Sequence, residues 1–166
     1  MASILLAMPA QAELGTDSYD GNIYALYAGN GSLVPPASNL ADAFAASKTS
    51  ILVYYLDDSA ASKIYAPVVS ELQRLWGKEV ELIPLSTDPL QGRNPLDVTD
   101  PATYWHGHIP QVVVLNSKGS ILLDAEGFVP LKTINEAVSQ ATGLPAPLEA
   151  TEILSFNEVN TEVRSY

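Results

Sequence analysis

Two serines and two histidines are the side chains of this sequence whose types and spacing could carry chemistry. Ser59 and Ser62 stand three residues apart, and His106 and His108 stand two apart. A serine hydroxyl beside an imidazole base is the arrangement of a hydrolase, but the sequence has no Gly-x-Ser-x-Gly elbow and no carboxylate clearly placed to orient an imidazole. We therefore predict no catalytic residue and no enzyme activity.

His106 and His108 would also be reasonable metal ligands. Histidines two apart share a face on a strand, and with Asp57 or Asp58 nearby they would offer nitrogen and oxygen donors to zinc or copper. Polar loop histidines beside a proline are the simpler interpretation, so we expect no metal and no other cofactor. A cysteine-free enzyme that uses a bound metal or thiol cofactor stays as the alternative.

The absence of cysteine and the acidic charge exclude several classes of protein. With no cysteine among 166 residues, the chain has no disulfide, no thiolate metal site and no thiol nucleophile. The formal net charge of -11 at pH 7 repels phosphate backbones, so we expect no nucleic-acid partner. Hydrophobic residues make up 47% of the chain, which is enough for the core of one domain.

The apolar patterning predicts the elements that must position these side chains. A long helix over residues 60–76 is indicated by apolar residues at helical spacing, with Pro67 kinking it rather than ending it. The other predicted elements, in chain order, are a short helix capped by Asn39, a buried strand over 51–56, an apolar run over 80–85, a loop over 88–103, a hairpin of 112–115 with 120–123, and a helix over 131–141 closed by Gly143. The apolar positions assigned to the long helix are Ile64, Val68, Leu72 and Leu75.

The flanking segments differ from this central region in composition. Residues 1–12 are interpreted as a signal-peptide remnant, because an apolar run too short to span a bilayer ends in the small-x-small form that signal peptidases accept. Residues 13–38 combine turn pairs with tyrosines and predict an ordered, non-helical lead-in. The predicted domain then covers 39–143, and residues 144–166 form a polar C-terminal tail.

Three local matches, together with this order of elements, resemble the thioredoxin fold. Residues 58–63 read Asp-Ser-Ala-Ala-Ser-Lys where thioredoxins carry Trp-Cys-Gly-Pro-Cys-Lys, and Pro67 stands four residues beyond the lysine. Ile109-Pro110 precedes the third strand, where thioredoxins have a cis proline. Lys118-Gly119 in the hairpin and Gly127 before the last helix complete the match. The resemblance implies an α/β protein, a thioredoxin-like three-layer sandwich with a mixed central sheet flanked by helices.

The departures from thioredoxins concern the redox centre. Ser59 and Ser62 hold the two cysteine positions, and a serine hydroxyl is far harder to ionise than a thiol of pKa about 8.5 and forms no disulfide. The buried aspartate that thioredoxins place on the preceding strand corresponds to Val53. The resemblance therefore implies the architecture without the redox couple.

Longer stretches are similar to a cyanobacterial family, the thylakoid membrane photosystem I accumulation factors. The similar residues are 19–36, 57–59, 109–114 and 155–162. This resemblance implies a thylakoid protein on the lumenal side, with the periplasm as the fallback, that supports accumulation or assembly of photosystem I by protein binding. Its partners would be photosystem I subunits or assembly intermediates, and membrane association would use the leader or a partner. A permanent structural subunit of a thylakoid complex is a further alternative.

The resemblance also implies where a protein partner would bind. Thioredoxin-like proteins bind extended peptides in a groove beside the cis proline. Tyr104 and Trp105 therefore either line this groove or pack in the core. Tyr19, Tyr24 and Tyr27 likewise either hold the lead-in on the sheet or bind a partner. The candidate groove consists of Asp57, Asp58, Trp105, His106, Ile109 and Pro110, with Pro110 as the presumed cis proline.

Overall fold

A computed structural model describes residues 15–17, 22–28 and 33–147, and these residues form four strands and four α-helices. The predicted leader, residues 1–12, lies outside this range, as does the tail from residue 148. No helix among the described residues has the length and apolar character needed to cross a membrane. The elements are α1 (Ile23–Tyr27), α2 (Leu40–Ala45), β1 (Ser50–Tyr55), α3 (Ala60–Trp76), β2 (Glu81–Ser86), β3 (Gln111–Leu115), β4 (Ile121–Glu126) and α4 (Leu131–Thr142), with single 3-10 turns at Asp88–Leu90 and Pro101–Thr103.

The strands form one mixed sheet in the order β2-β1-β3-β4. β1 runs parallel to β2 and antiparallel to β3, which is antiparallel to β4. The carboxyl ends of β1, β2 and β4 therefore lie at the same edge of the sheet as the amino end of β3. We call this the motif edge, because Ser59 of the thioredoxin-like motif lies there. Asp57, Pro110 and Phe128 lie at the same end of the molecule.

Both faces of the sheet are covered, which confirms the thioredoxin-like α/β sandwich. Alternate residues of β1 point to opposite faces, so Ile51, Val53 and Tyr55 join the core under α1, α3 and α4. Leu52 and Tyr54 join a second core. That second core is covered by the short helix α2 and by the ordered loop between β2 and β3, with no α-helix in the described crossover itself.

The long helix α3 forms as predicted, with Pro67 inside it. Of its predicted apolar residues, Leu72 is in the core and Val68 and Leu75 pack against it, but Ile64 does not. Ile64 is 49% exposed, whereas Tyr65 and Trp76 are almost fully buried. Both buried aromatic residues have polar partners outside the helix. The Tyr65 hydroxyl donates to the Val129 carbonyl at 2.9 Å, and the Trp76 indole donates to Asn135 Oδ1 on α4 at 2.7 Å. An aromatic residue with a polar end is placed by its partner as well as by its periodicity.

The expectation of a non-helical lead-in is wrong for residues 23–27, which form α1. The Asn22 side chain caps this helix by accepting the Tyr24 N–H, and it also donates to the Tyr55 hydroxyl at 2.7 Å. The Tyr24 ring stacks on Tyr55 with the ring centroids 4.1 Å apart, and Ile23 and Tyr24 are fully buried. Tertiary packing thus stabilises a helix too short to form alone. Residues 23, 24, 28 and 33 of the lead-in thus belong to the core, while Tyr19 lies outside the described residues.

Candidate functional site

The two serines at the former redox positions have different surroundings. Ser62 is fully buried, and its hydroxyl accepts the Leu56 N–H at 3.0 Å, so it fastens the end of β1 to the first turn of α3. Ser59 is the N-cap residue of α3 but makes no capping hydrogen bond with its side chain. Val53 is also fully buried. The position of the thioredoxin aspartate is therefore occupied by an apolar side chain that cannot transfer a proton.

Asp17, far away in the sequence, supplies the capping hydrogen bond that Ser59 does not make. The Asp17 carboxylate accepts the Ala60 N–H at 2.7 Å. The neighbouring Thr16 carbonyl accepts a hydrogen bond from the ammonium group of Lys63 at 2.6 Å, and Lys63 is fully buried. Residues 16 and 17 thus lie against the first turn of the helix that carries both serines.

Carboxylates follow β1 and β2 at the motif edge. Burial raises the pKa of Asp57 above its ordinary value, and the charges of Asp88 and Asp58 add to this rise. A hydrogen bond from the Ile23 N–H, at 3.4 Å, partly opposes it. The three carboxylates make this end of the molecule acidic, so it favours cationic groups over anionic ones.

The peptide bond between Ile109 and Pro110 is cis, as the resemblance implies. The Pro110 carbonyl accepts the Gly127 N–H at 2.7 Å, which holds the loop after β4 beside the proline. That loop presents Phe128, which is 57% exposed and meets Tyr65 of α3 edge to face with centroids 6.1 Å apart. The loop bonded to the cis proline thus places an aromatic ring against α3, with more than half its surface open to solvent.

The two histidines contact two different carboxylates of β4. His106 Nε2 lies 2.7 Å from Asp124 Oδ2, and His108 Nδ1 lies 3.1 Å from Glu126 Oε2. Neither Asp57 nor Asp58 takes part in these pairs. Among the described residues, no three histidine, aspartate or glutamate side chains are grouped as metal ligands would be. The observed pairs instead fasten the loop before Pro110 to the edge strand.

Gln111 is the centre of a hydrogen-bond network under this loop. Its fully buried amide accepts the His106 N–H at 3.1 Å and donates to the Tyr104 carbonyl and to Asp124 at 2.7 and 2.9 Å. Trp105 stacks on Tyr54 at 5.3 Å, on the sheet face opposite α3. Tyr104 is buried in the same core. The candidate groove is therefore divided, with Asp57, Asp58, Ile109 and Pro110 near α3 and with Trp105 and His106 turned toward the other face.

Several residues of the site were missed by sequence reasoning. Phe128 follows a glycine that was recognised as a fold marker, but the exposure of a single phenylalanine cannot be read from periodicity. Asp124 alternates with apolar residues on β4, a pattern that indicates outward placement without naming a partner. Thr16 and Asp17 contact α3 across more than 40 residues of sequence. A pattern among neighbouring residues of the sequence cannot predict such a contact.

Comparison with known proteins identifies a relative that matches almost the whole chain. No protein-family model matches the sequence. Among solved structures, the exposed lipoprotein thioredoxin Etrx1 of Streptococcus pneumoniae strain TIGR4 is 16% identical, with a TM-score of 0.48 over 61% of this chain and 89% of that one. A malarial protein is 15% identical, with a TM-score of 0.46 over 57% and 97%.

The relative is the thylakoid membrane protein slr1796 of Synechocystis sp. (strain ATCC 27184 / PCC 6803 / Kazusa). It is 38% identical over 156 residues, which cover 93% of this chain and 78% of the relative. Identity at this level over this length shows common descent, and the chain therefore belongs to the family of the Synechocystis thylakoid membrane protein slr1796.

Proposed function

We propose that this protein is a redox-inactive, thioredoxin-like factor that supports the accumulation or assembly of photosystem I by binding protein at the thylakoid. The observation that carries the proposal is the state of the former redox motif. Ser62 is buried and its hydroxyl accepts a backbone hydrogen bond, and Ser59 occupies the N-cap position of α3 without making a capping bond. Val53 occupies the position of the proton-transfer group. A site in this condition offers a surface and no electron-transfer group.

The surface that we propose for the partner is the docking face, consisting of Asp57, Asp58, Ile109, Pro110 and Phe128. At the same end of the sheet, the exposed ring of Phe128 and the half-buried Ile109 supply apolar surface, and the carboxylates supply negative charge. Apolar anchors with charged surroundings are typical of protein interfaces. The partner segment that fits would carry an apolar side chain next to lysine or arginine.

The thylakoid location rests on the family relative, and photosystem I rests on the similarity of residues 19–36, 57–59, 109–114 and 155–162 to the accumulation factors. We propose the lumenal side, on the basis of the signal-peptide interpretation of residues 1–12. In this compartment a basic lumenal segment of a photosystem I subunit would meet the acidic rim of the docking face.

Affinity capture from thylakoid membranes tests this function, with Phe128→Asp as the interface variant. Ile121→Asp is the matched control, because Ile121 is 52% exposed and lies at the opposite end of the sheet. We expect photosystem I subunits or assembly intermediates with the wild-type chain and the control, and a loss with Phe128→Asp. Capture of mature complexes alone would favour a permanent subunit. Reduction of insulin by the wild-type chain, or bound zinc lost on His106→Ala, would favour the enzyme.

A further inference from the structure

The first turn of α3 is covered by two consecutive residues from far away in the sequence. Asp17 accepts the Ala60 N–H at 2.7 Å, and Thr16 accepts the Lys63 ammonium at 2.6 Å. Ala60 and Lys63 are three residues apart, so they lie on the same side of the helix. Two adjacent residues therefore accept two hydrogen bonds from one side of this turn.

The bond from the Ala60 N–H to Asp17 replaces the capping hydrogen bond that Ser59 does not make. A serine at the N-cap normally accepts a hydrogen bond from an N–H of the first turn, but Ser59 does not. A carboxylate at this place also interacts favourably with the positive end of the helix dipole. The Asp17 side chain is nevertheless exposed, so its bond to Ala60 can open toward water without disturbing the core.

The neighbouring part of the lead-in is held much more firmly. Ile23 and Tyr24 are fully buried, and Asn22 is bonded to Tyr55. Opening at residues 16 and 17 therefore leaves α1 in place. The same opening would break the hydrogen bond from the Lys63 ammonium to the Thr16 carbonyl. The chain thus combines a fixed anchor with a surface contact that can be released.

We propose that Thr16 and Asp17 form an intramolecular latch that closes the first turn of α3, and that a partner reaches the Ser59 side of the docking face when the latch opens. The second half of this statement rests on the proposed function. The closure itself does not, because it concerns contacts within the chain alone.

The absence of cysteine permits a direct test of the latch. In Ser59→Cys the single thiol reports access to this turn through its rate of alkylation by iodoacetamide, a neutral reagent. The rate at high pH, where the thiol is fully ionised, reports access, whereas the midpoint of the pH profile reports the local charge. We expect Asp17→Ala to raise the high-pH rate about ten-fold, as loss of about 1.4 kcal/mol of closing interaction would do.

Two matched variants complete the test. Asp17→Asn keeps an oxygen acceptor, so its high-pH rate should stay near that of the parent although the midpoint falls. Asp88→Ala removes an exposed carboxylate from the same edge without touching the latch. An unchanged high-pH rate in Asp17→Ala, or an equal rise in Asp88→Ala, would overturn the latch.

Amide hydrogen exchange provides a second measurement in the cysteine-free chain. The Ala60 amide should exchange about ten-fold faster in Asp17→Ala, with little change in the strands. In thylakoid capture the same variant should retain more of the partner than the wild type, and an equal or smaller amount would overturn the gating role. Failure of the labelling test refutes the latch while leaving capture by the wild type intact. Failure of capture refutes the proposed function while leaving the labelling result intact.

Discussion

Replacing the two serines separately should reveal that one is structural and the other is not. In Ser62→Ala the Leu56 N–H loses its acceptor, in a site where the Ser62 side chain is fully buried. A buried donor left without a partner costs about 1–3 kcal/mol, and we expect about 1.5 kcal/mol because the N–H is only partly buried. For a chain of this size, such a loss lowers Tm by about 3–6 °C.

The comparison is Ser59→Ala, which removes a hydroxyl that makes no capping bond. We expect a change below about 0.5 kcal/mol, whereas a working N-cap serine would cost about 1 kcal/mol. Urea denaturation followed by far-UV circular dichroism measures both, with an unchanged m-value as the check that the unfolded states are comparable. Equal losses in the two variants, or no loss in Ser62→Ala, would refute the assigned roles.

Four further predictions concern the core and the motif edge. Asp57→Asn should stabilise the protein at neutral pH, because folding raises the pKa of Asp57 and so penalises its charged form. This gain in stability should vanish as the pH falls below the ordinary carboxyl range. Urea titrations at neutral and at low pH test this, and a gain that persists at low pH would contradict it. Tyr24→Phe should be neutral or stabilising in thermal unfolding, because the buried Tyr24 hydroxyl has no hydrogen-bond partner in the described part of the chain; a loss above about 1 kcal/mol would contradict this. Asn135→Ala should cost about 1–3 kcal/mol in urea, since the Trp76 indole loses its acceptor, and a stability equal to wild type would mean that the bond is dispensable. Restoring both cysteines at positions 59 and 62 should leave insulin reduction far below that of a thioredoxin, because Val53 supplies no proton-transfer group, and rapid reduction would show that the acid is unnecessary.

Much of the fold could be predicted from the sequence, because its signals are local. Asn39 caps α2 by accepting the Asp42 N–H, and Gly143 ends α4 with a φ of 75° that glycine adopts readily. The hairpin of β3 and β4 follows from Asn116 and Gly119 in its turn, where Asn116 accepts the N–H groups of Lys118 and Ser120. Turn and cap chemistry depends on neighbours in sequence, which a reader of the sequence can see.

The rest depended on contacts between distant residues. Helix α1 forms because Tyr24 stacks on Tyr55, and Tyr65 and Trp76 of α3 are buried where their polar groups find partners outside that helix. The candidate groove is predicted as one surface, whereas the stacking of Trp105 on Tyr54 places Trp105 on the opposite face of the sheet. Side-chain direction at the end of a strand is decided by packing, which no periodicity encodes.

The function that we propose is support of photosystem I by binding through the docking face, without redox chemistry. The most direct measurement is the photosystem I content per cell, from light-induced P700 absorbance, in a strain that lacks the gene and is complemented with single variants. We expect a reduced content in the deletion strain, full recovery with Ser59→Ala and Ile121→Asp, and no recovery with Phe128→Asp at equal protein levels. An unchanged content in the deletion strain, or full recovery with Phe128→Asp, would contradict it.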